Sequence, residues 1–350
     1  MPEYVTPLLI VVVIIALAFD YVNGFHDAAN AIATVVSTRA LTPRQALTMA
    51  GVLNFAGAFG SAAVAKTMAK GLVNIDAARG HVEVILAALI GALIWNLLTW
   101  WWGLPSSSSH ALVGGLIGSV SYFEGSLMRG PKWDGVFGKV VIPGLIAPLL
   151  GILIGYLVMA LLLWIIFWMK TAPNKVNRRF RTLQRVSACL MAYSHGMADA
   201  QKVMGIIALA IFLANPANLH VNTDTVEIPV PLWAKASCAL MIALGTSAGG
   251  WKIIKTMGSK IFKMQPVHGF AADMTSSTLL HITAHMGMPL STTHVITGSI
   301  MGVGASKRVS AVRWGVAKRI LGAWVFTIPA SAVMGAISCA IATAIFAPAT

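Results

Sequence analysis

The sequence predicts an all-α polytopic membrane protein: two inverted-topology repeats, with broken helices and half-helix N-termini meeting near the midplane. Three observations predict it. The 350 residues are 57% hydrophobic and 10% charged, with mean hydropathy +0.78, where a soluble domain carries roughly 25% charged residues. Apolar stretches of membrane-spanning length recur along the whole chain, and in lipid only helices or closed barrels satisfy their own backbone. Finally, one set of polar landmarks occurs twice in the same order, offset by 172 residues from Asp27 to Asp199 and by 189 from Lys66 to Lys255.

Taken in order, the candidate spans are 7–36, 46–65, 83–103, 140–169, 187–214, 232–251, 267–287 and 320–346, with shorter apolar stretches at 107–121 and 293–304. The first run has no basic start and continues into His26-Asp27, so it does not read as a cleavable signal peptide. As a straight helix it would be about 45 Å long at ~1.5 Å per residue, against a hydrocarbon core of about 30 Å. A break is therefore expected near Asn23-Gly24, freeing carbonyls for a cation. Residues 1–169 read as the first repeat, 170–186 as a basic cytoplasmic linker, and 187–350 as the second repeat.

The net charge of +14 does not point to nucleic acid, because basic residues gather in the cytoplasmic loops of membrane proteins. Lys170, Lys175, Arg178, Arg179, Arg181 and Arg185 place the linker inside, and 215–230, with Asp224 and Glu227 but no Lys or Arg, falls outside. Both termini then lie outside. The first half follows the rule less well, since Lys66, Lys70, Arg79, Arg129, Lys132 and Lys139 fall outside beside Asp76, Glu124 and Asp134. Cys189, Cys238 and Cys339 sit in apolar stretches without metal-like spacing and read as packing residues.

The repeated landmarks carry the chemistry. Asp27 and Asp199 each stand in an otherwise apolar segment, followed by Asn30 and Gln201. An intramembrane charge is costly and marks a substrate or ion path. Lys66-Thr67-Met68 is answered by Lys255-Thr256-Met257, and an acid near the start of the next helix, Glu83, by Asp273. Then come Pro105-Ser106-Ser107-Ser108-Ser109-His110 and Pro289-Leu290-Ser291-Thr292-Thr293-His294. Proline suits a first helical turn and serine an N-cap, so a helix is expected to start at each cluster, at membrane depth. Such an end binds anions through its free N–H groups and its dipole. Two of them converging would hold one small tetrahedral anion.

Two carboxylates beside an anion repel it unless cations or protons intervene, so coupling to H⁺, Na⁺ or a divalent metal is expected. Asn30 and Gln201 suit either ion. An Asp199–Lys202 ion pair is the structural alternative for Asp199, whereas Asp27 has no cation near it in sequence. His26, His110, His195 and His294 flank the motifs, as proton carriers or as neutral hydrogen-bonding struts. Trp100, Trp101 and Trp102 read as interfacial anchors.

Gly24-Phe25-His26-Asp27-Ala28-Ala29-Asn30-Ala31, the segment Ser194 to Gly205, and the two Ser/Thr-His clusters resemble the inorganic phosphate transporter family over nearly the whole chain. The resemblance implies secondary active import of phosphate by cation symport. It implies a polar centre of Asp27, Asn30, Asp199 and Gln201, with Asn23, His26 and His195 on the cation side. Ser107, Ser108, Ser109, Ser291, Thr292 and Thr293 would hold the anion. The Gly-Phe-His-Asp form of the first motif looks like the bacterial proton-coupled branch. One departure is Ala198, where the family's second motif carries an asparagine. No cofactor is implied beyond co-transported H⁺, with Na⁺ or a metal bound with phosphate left open. The implied location is the inner membrane, and a homodimer is the default for a symmetric membrane protein.

Sulfate permease activity on the same fold stays open, and a passive anion channel is the rival from another class. Enzymes are excluded on the residues. An intramembrane aspartyl protease would need a Gly-x-Gly-Asp segment. A serine hydrolase would show Gly-x-Ser-x-Gly, and a single-site enzyme has no use for the duplication.

Overall fold

The computed structural model describes residues 5–74, 80–170, 172–218 and 227–346. Asp76, Arg79, Asp224 and both terminal tetrapeptides, which entered the predicted sidedness, lie outside the described residues. Among the described residues the chain is helical, with one isolated bridge between Val73 and Pro131.

The first half runs α1 (Pro7–Ser37), α2 (Pro43–Gly57), α3 (Ala63–Lys70), α4 (Val82–Trp102), α5 (Ser108–Phe123) and α6 (Trp133–Val136). A π-helical turn, Phe137–Val141, joins α6 to α7 (Ile142–Trp168). The second half runs α8 (Pro173–Ala214), α9 (Leu232–Ala248), α10 (Trp251–Lys255), α11 (Pro266–His285), α12 (Thr292–Lys307) and α13 (Trp314–Phe346). Among the described residues five stretches are long and apolar enough to cross a membrane: α1, α4, 133–168, α8 and α13. A sixth is α9 with Trp251–Lys260, bent by 61° at Gly249-Gly250. This is a multi-pass membrane protein.

Two expectations are corrected, the break in the first span and the single span at 46–65. α1 is one continuous 31-residue helix through Asn23-Gly24, so no carbonyls are freed there. The stretch 46–65 is not one helix, because the chain leaves α2 after Gly57 and re-enters at Ala63. The basic linker is helical. From Pro173, which suits a first helical turn, it forms the start of the 42-residue α8.

Burial separates the central helices from the lipid-facing ones. In its most apolar window α8 is 89% buried, whereas the stretch containing α7 is 17% buried. Leu145, Leu149, Leu153, Leu157 and Leu161 of α7 all face outward, as expected where the solvent is hydrocarbon. α1 and α8 run antiparallel: Thr38, after α1, donates to Gln184 near the start of α8 at 2.7 Å. The start of α1 shares a groove with Ile211 near the end of α8.

α4 and α5 form one hairpin, α11 and α12 another. Each first arm ends on a glycine in the left-handed region, Gly103 (φ 66°) and Gly287 (φ 71°), which a β-carbon would strain. The open end of the first hairpin closes with His81 on Phe123, 4.4 Å between ring centroids. In the second, Phe262 packs on His268 at 5.1 Å and lies against Gly304. The tips meet, with the rings of His110 and His294 4.7 Å apart. Each half's short helix packs on the other half's last helix, α5 on α13 and α12 on α7.

Candidate functional site

The site lies where the middles of α1 and α8 cross the two hairpin tips. Residues three and four apart share a helix face, so α1 presents Asp27 with Asn30 and α8 presents His195 and Asp199 with Lys202. Glycines set how closely these helices are approached. A β-carbon on Gly24 would lie 2.5 Å from Ile242 O on α9, and one on Gly196 would lie 2.3 Å from Asn54 O on α2. Both helices are continuous and tightly packed near the point where the carboxylates project.

The serine clusters begin helices as expected. Ser107 caps α5 by accepting from His110 N at 3.2 Å, and Ser291 caps α12 by accepting from His294 N at 3.3 Å. The next two residues of each tip meet the aspartate helices. Ser108 donates to Asp27 Oδ2 at 2.8 Å, and Thr292 to Asp199 Oδ2 at 3.3 Å. Asn30 Nδ2 lies 3.0 Å from both Thr292 and Thr293 hydroxyls, across in the second half. Lys202, also three residues after its aspartate, reaches Ser109 in the first half and Asp199 Oδ1 at once.

Histidines flank both carboxylates. His26 Nδ1 is 2.7 Å from Asp27 Oδ1, and its Nε2 is 3.1 Å from Thr99 Oγ1, to which Ser106 donates at 2.8 Å. His195 Nε2 is 3.2 Å from Asp199 Oδ2, and its Nδ1 is 3.2 Å from Asn54 Oδ1. Ligand atoms of Asp27, His195 and Asp199 lie within 4.8 Å of one another, so the two motifs share one buried centre able to hold a proton or a small cation. His294 Nδ1 donates to Gly144 O at 3.0 Å and its ring stacks on Trp324, a strut for the second tip. Trp324 in turn donates to Pro105 O at 3.0 Å, tying the first tip.

Asp27, Asn30, Asp199, His26, His195, Ser107, Ser108, Ser109, Ser291, Thr292 and Thr293 are thus brought together. Gln201 is not, a correction with a geometric reason: two residues along a helix is a rotation of about 200°. Its Oε1 accepts from Val64 N at 2.9 Å at the start of α3, and its Nε2 donates to Met197 O. Asn23 lies one turn before the cluster on α1 with its Oδ1 unpartnered. Ala198 is buried beside Asp199 and brings no polar atom. Lys202 is the residue the sequence reading undervalued. It forms the Asp199 ion pair held there as the structural alternative, and it also holds an anion-site serine. Its spacing of three from Asp199 was the signal.

Two carboxylates are offset by one ammonium and by two helix N-termini, each equivalent to about half a positive charge. Adding an anion upsets that balance unless a cation or proton comes with it.

A many-spanning helical bundle with a buried, charged centre between two helix N-termini defines a membrane carrier for a small ion. Proteins of similar sequence and structure belong to that class. The profile of the phosphate transporter family matches residues 23–335. A probable low-affinity inorganic phosphate transporter of Bacillus subtilis is 46% identical over 339 residues, covering 97% of this chain and 98% of the relative. One from Rhizobium meliloti is 44% identical, covering 95% of each. A solved structure described as the sodium-dependent phosphate transporter superposes with a TM-score of 0.85 at 26% identity, covering 97% of this chain and all of its own. This chain belongs to the phosphate transporter family, whose members are transporters and not enzymes.

Proposed function

We propose that the chain is a secondary active importer of inorganic phosphate coupled to protons, built from two inverted repeats around the site above. The phosphate sits between the α5 and α12 N-termini, held by Ser107, Ser108, Ser109, Ser291, Thr292 and Thr293 with Asn30 and Lys202. Asp27 and Asp199, with His26 and His195, handle the coupling cation. The antiparallel crossing of α1 and α8 and the exchanged packing of the short helices support inversion. The basic start of α8 lies on the cytoplasmic side and both termini on the other, in the inner membrane.

The observation that carries proton coupling is Lys202. Its ammonium is bonded to Asp199 Oδ1 and Ser109 Oγ, so a tethered cation already fills the second-half position that a free alkali ion would take. Sodium is the second reading, favoured by the description of the solved neighbour.

Labelled phosphate uptake into proteoliposomes, under an imposed pH gradient and then a Na⁺ gradient with sulfate as competitor, tests this. The expected result is concentrative uptake driven by pH and indifferent to sulfate. Drive by Na⁺ alone would replace the proton reading. Sulfate uptake alone would move the substrate, and downhill flux under both gradients would leave a channel.

A further inference from the structure

Two turns of α1 before Asp27 stands an intramembrane aspartate that the central site does not use. Asp20 is 0% exposed, and neither of its carboxylate oxygens receives an N–H or O–H hydrogen bond. The Cys238 thiol of α9 lies beside it, a weak donor. The charged groups that act on it electrostatically are Asp199 and Lys202 of α8.

Other unpartnered polar groups lie between Asp20 and the level of His26. Asn23, one turn further along the same face of α1, is buried with its Oδ1 unpartnered. On α4, Asn96 is fully buried with both amide atoms unpartnered, and the indole N–H of Trp95 has no acceptor. α4 and α1 run in the same direction, because both begin at the end of α8: Gly80 N–H donates to Leu213 O at 3.3 Å, and Leu9 and Val13 share a groove with Ile211. They are in register at the site, where His26 meets Thr99 and Phe25 packs on Trp100 at 5.3 Å. One turn back from that level, Asn23 and Asn96 lie on the Asp20 side of His26. Buried polar atoms in native proteins find partners, and a buried carboxylate without donors requires a cation or a proton.

We propose that Asp20, with Asn23 and Asn96, is a second proton-carrying site, through which the coupling proton reaches or leaves Asp27 on the side where α1 begins; this rests on the proton-symport reading above. A proton fits the group better than a metal ion. A neutral carboxyl donates one hydrogen bond, and Asn23 Oδ1 is an acceptor without a donor one turn away. A hard metal ion would want a shell of oxygens alone, whereas the free groups here are mixed: beside the carboxylate and amide oxygens stand the unpartnered N–H donors of Asn96 and Trp95 and the soft Cys238 thiol. In the relay, the O–H bond at Asp20 breaks, its proton crosses about 10 Å of helix rise through water hydrogen-bonded to Asn23 and Asn96, and an O–H bond forms at Asp27. Asp20 is left anionic and Asp27 neutral, with no electron transferred.

The test compares wild type, Asp20→Asn and Asp20→Glu in proteoliposomes by two assays. One is pH-gradient-driven accumulation of labelled phosphate; the other is phosphate exchange at equal pH. Asp20→Asn is expected to keep exchange within about twofold and to lose accumulation by tenfold or more. Asp20→Glu, which keeps a titratable group, is expected to restore accumulation with a displaced pH profile. If Asp20→Asn does not insert, the Asp20→Glu profile decides alone, and an unmoved profile overturns the proposal. Wild-type accumulation by Asp20→Asn, or equal loss of exchange and accumulation, also overturns it. If wild type itself shows no response to the pH gradient, the proton-symport reading has failed, and the relay falls with it.

Discussion

The two halves put different chemistry at one register position. Three residues after Asp27 comes Asn30, a neutral amide that reaches Thr292 and Thr293 of the other half. Three residues after Asp199 comes Lys202, an ammonium that reaches Ser109 of the other half and turns back to its own aspartate. The geometry is shared and the charge is not. Asp199 is neutralised within its own helix by Lys202, whereas the side-chain bonds of Asp27 are to His26 and Ser108. On the proposed reading, the Asp27 side takes up the mobile proton and the Asp199 side supplies a fixed positive charge for phosphate.

Replacing each aspartate in turn exposes this difference most strongly. Asp27→Asn and Asp199→Asn should both abolish coupled uptake, but only Asp199→Asn strands a buried ammonium, which costs about 3–5 kcal/mol when a buried pair is broken from one side. Thermal unfolding in detergent should therefore show a clear loss for Asp199→Asn and little for Asp27→Asn. Equal stability of the two would break the comparison, and normal accumulation by either mutant would remove that aspartate from the mechanism.

A smaller effect is expected at the hairpin tips. Ser108→Ala and Thr292→Ala each delete one hydroxyl from equivalent positions, and the KM for phosphate should rise about fivefold to tenfold in both, as for one lost hydrogen bond of about 1–1.5 kcal/mol. A change in expression alone would make the hydroxyls packing devices.

The smallest effect lies at the surface, where Lys66 after the first motif bonds Glu227 at 3.0 Å. That hydrogen bond, aided by the charge, holds the Glu227 carboxyl below its ordinary value. A depressed carboxyl contributes stability above its unfolded pKa of about 4.3 and loses it as pH falls through the folded value. Glu227→Gln should thus lower the melting temperature slightly at pH 7, by an amount that shrinks as the pH is lowered through the folded value. A deficit that does not shrink would show that charge is not its source.

Much of this was legible because polar residues in an apolar chain are rare and stand out. Asp27, Asp199 and the two Ser/Thr-His clusters could be read from residue type and order alone, and the serines do begin helices. What misled was local reading of ambiguous residues. Gly24 reads equally as a break or as a close contact, and only the partner helix, with Gly245 against Tyr21 O, shows which. Gln201 resembles Asn30 chemically, but its spacing of two turns it toward α3, whereas Lys202 at three takes the equivalent place. The start of α8 is too polar to read as part of a span, yet its length follows from continuing the helix that carries Asp199.

Lys202 is what sets the two halves apart, so the most direct measurement is ion-gradient-driven phosphate uptake by Lys202→Asn, which gives the second half the amide of the first. The predicted result is loss of pH-driven accumulation and a newly acquired response to a Na⁺ gradient. Wild-type accumulation under the pH gradient with no response to Na⁺ would contradict the claim that the two halves divide the charge between them.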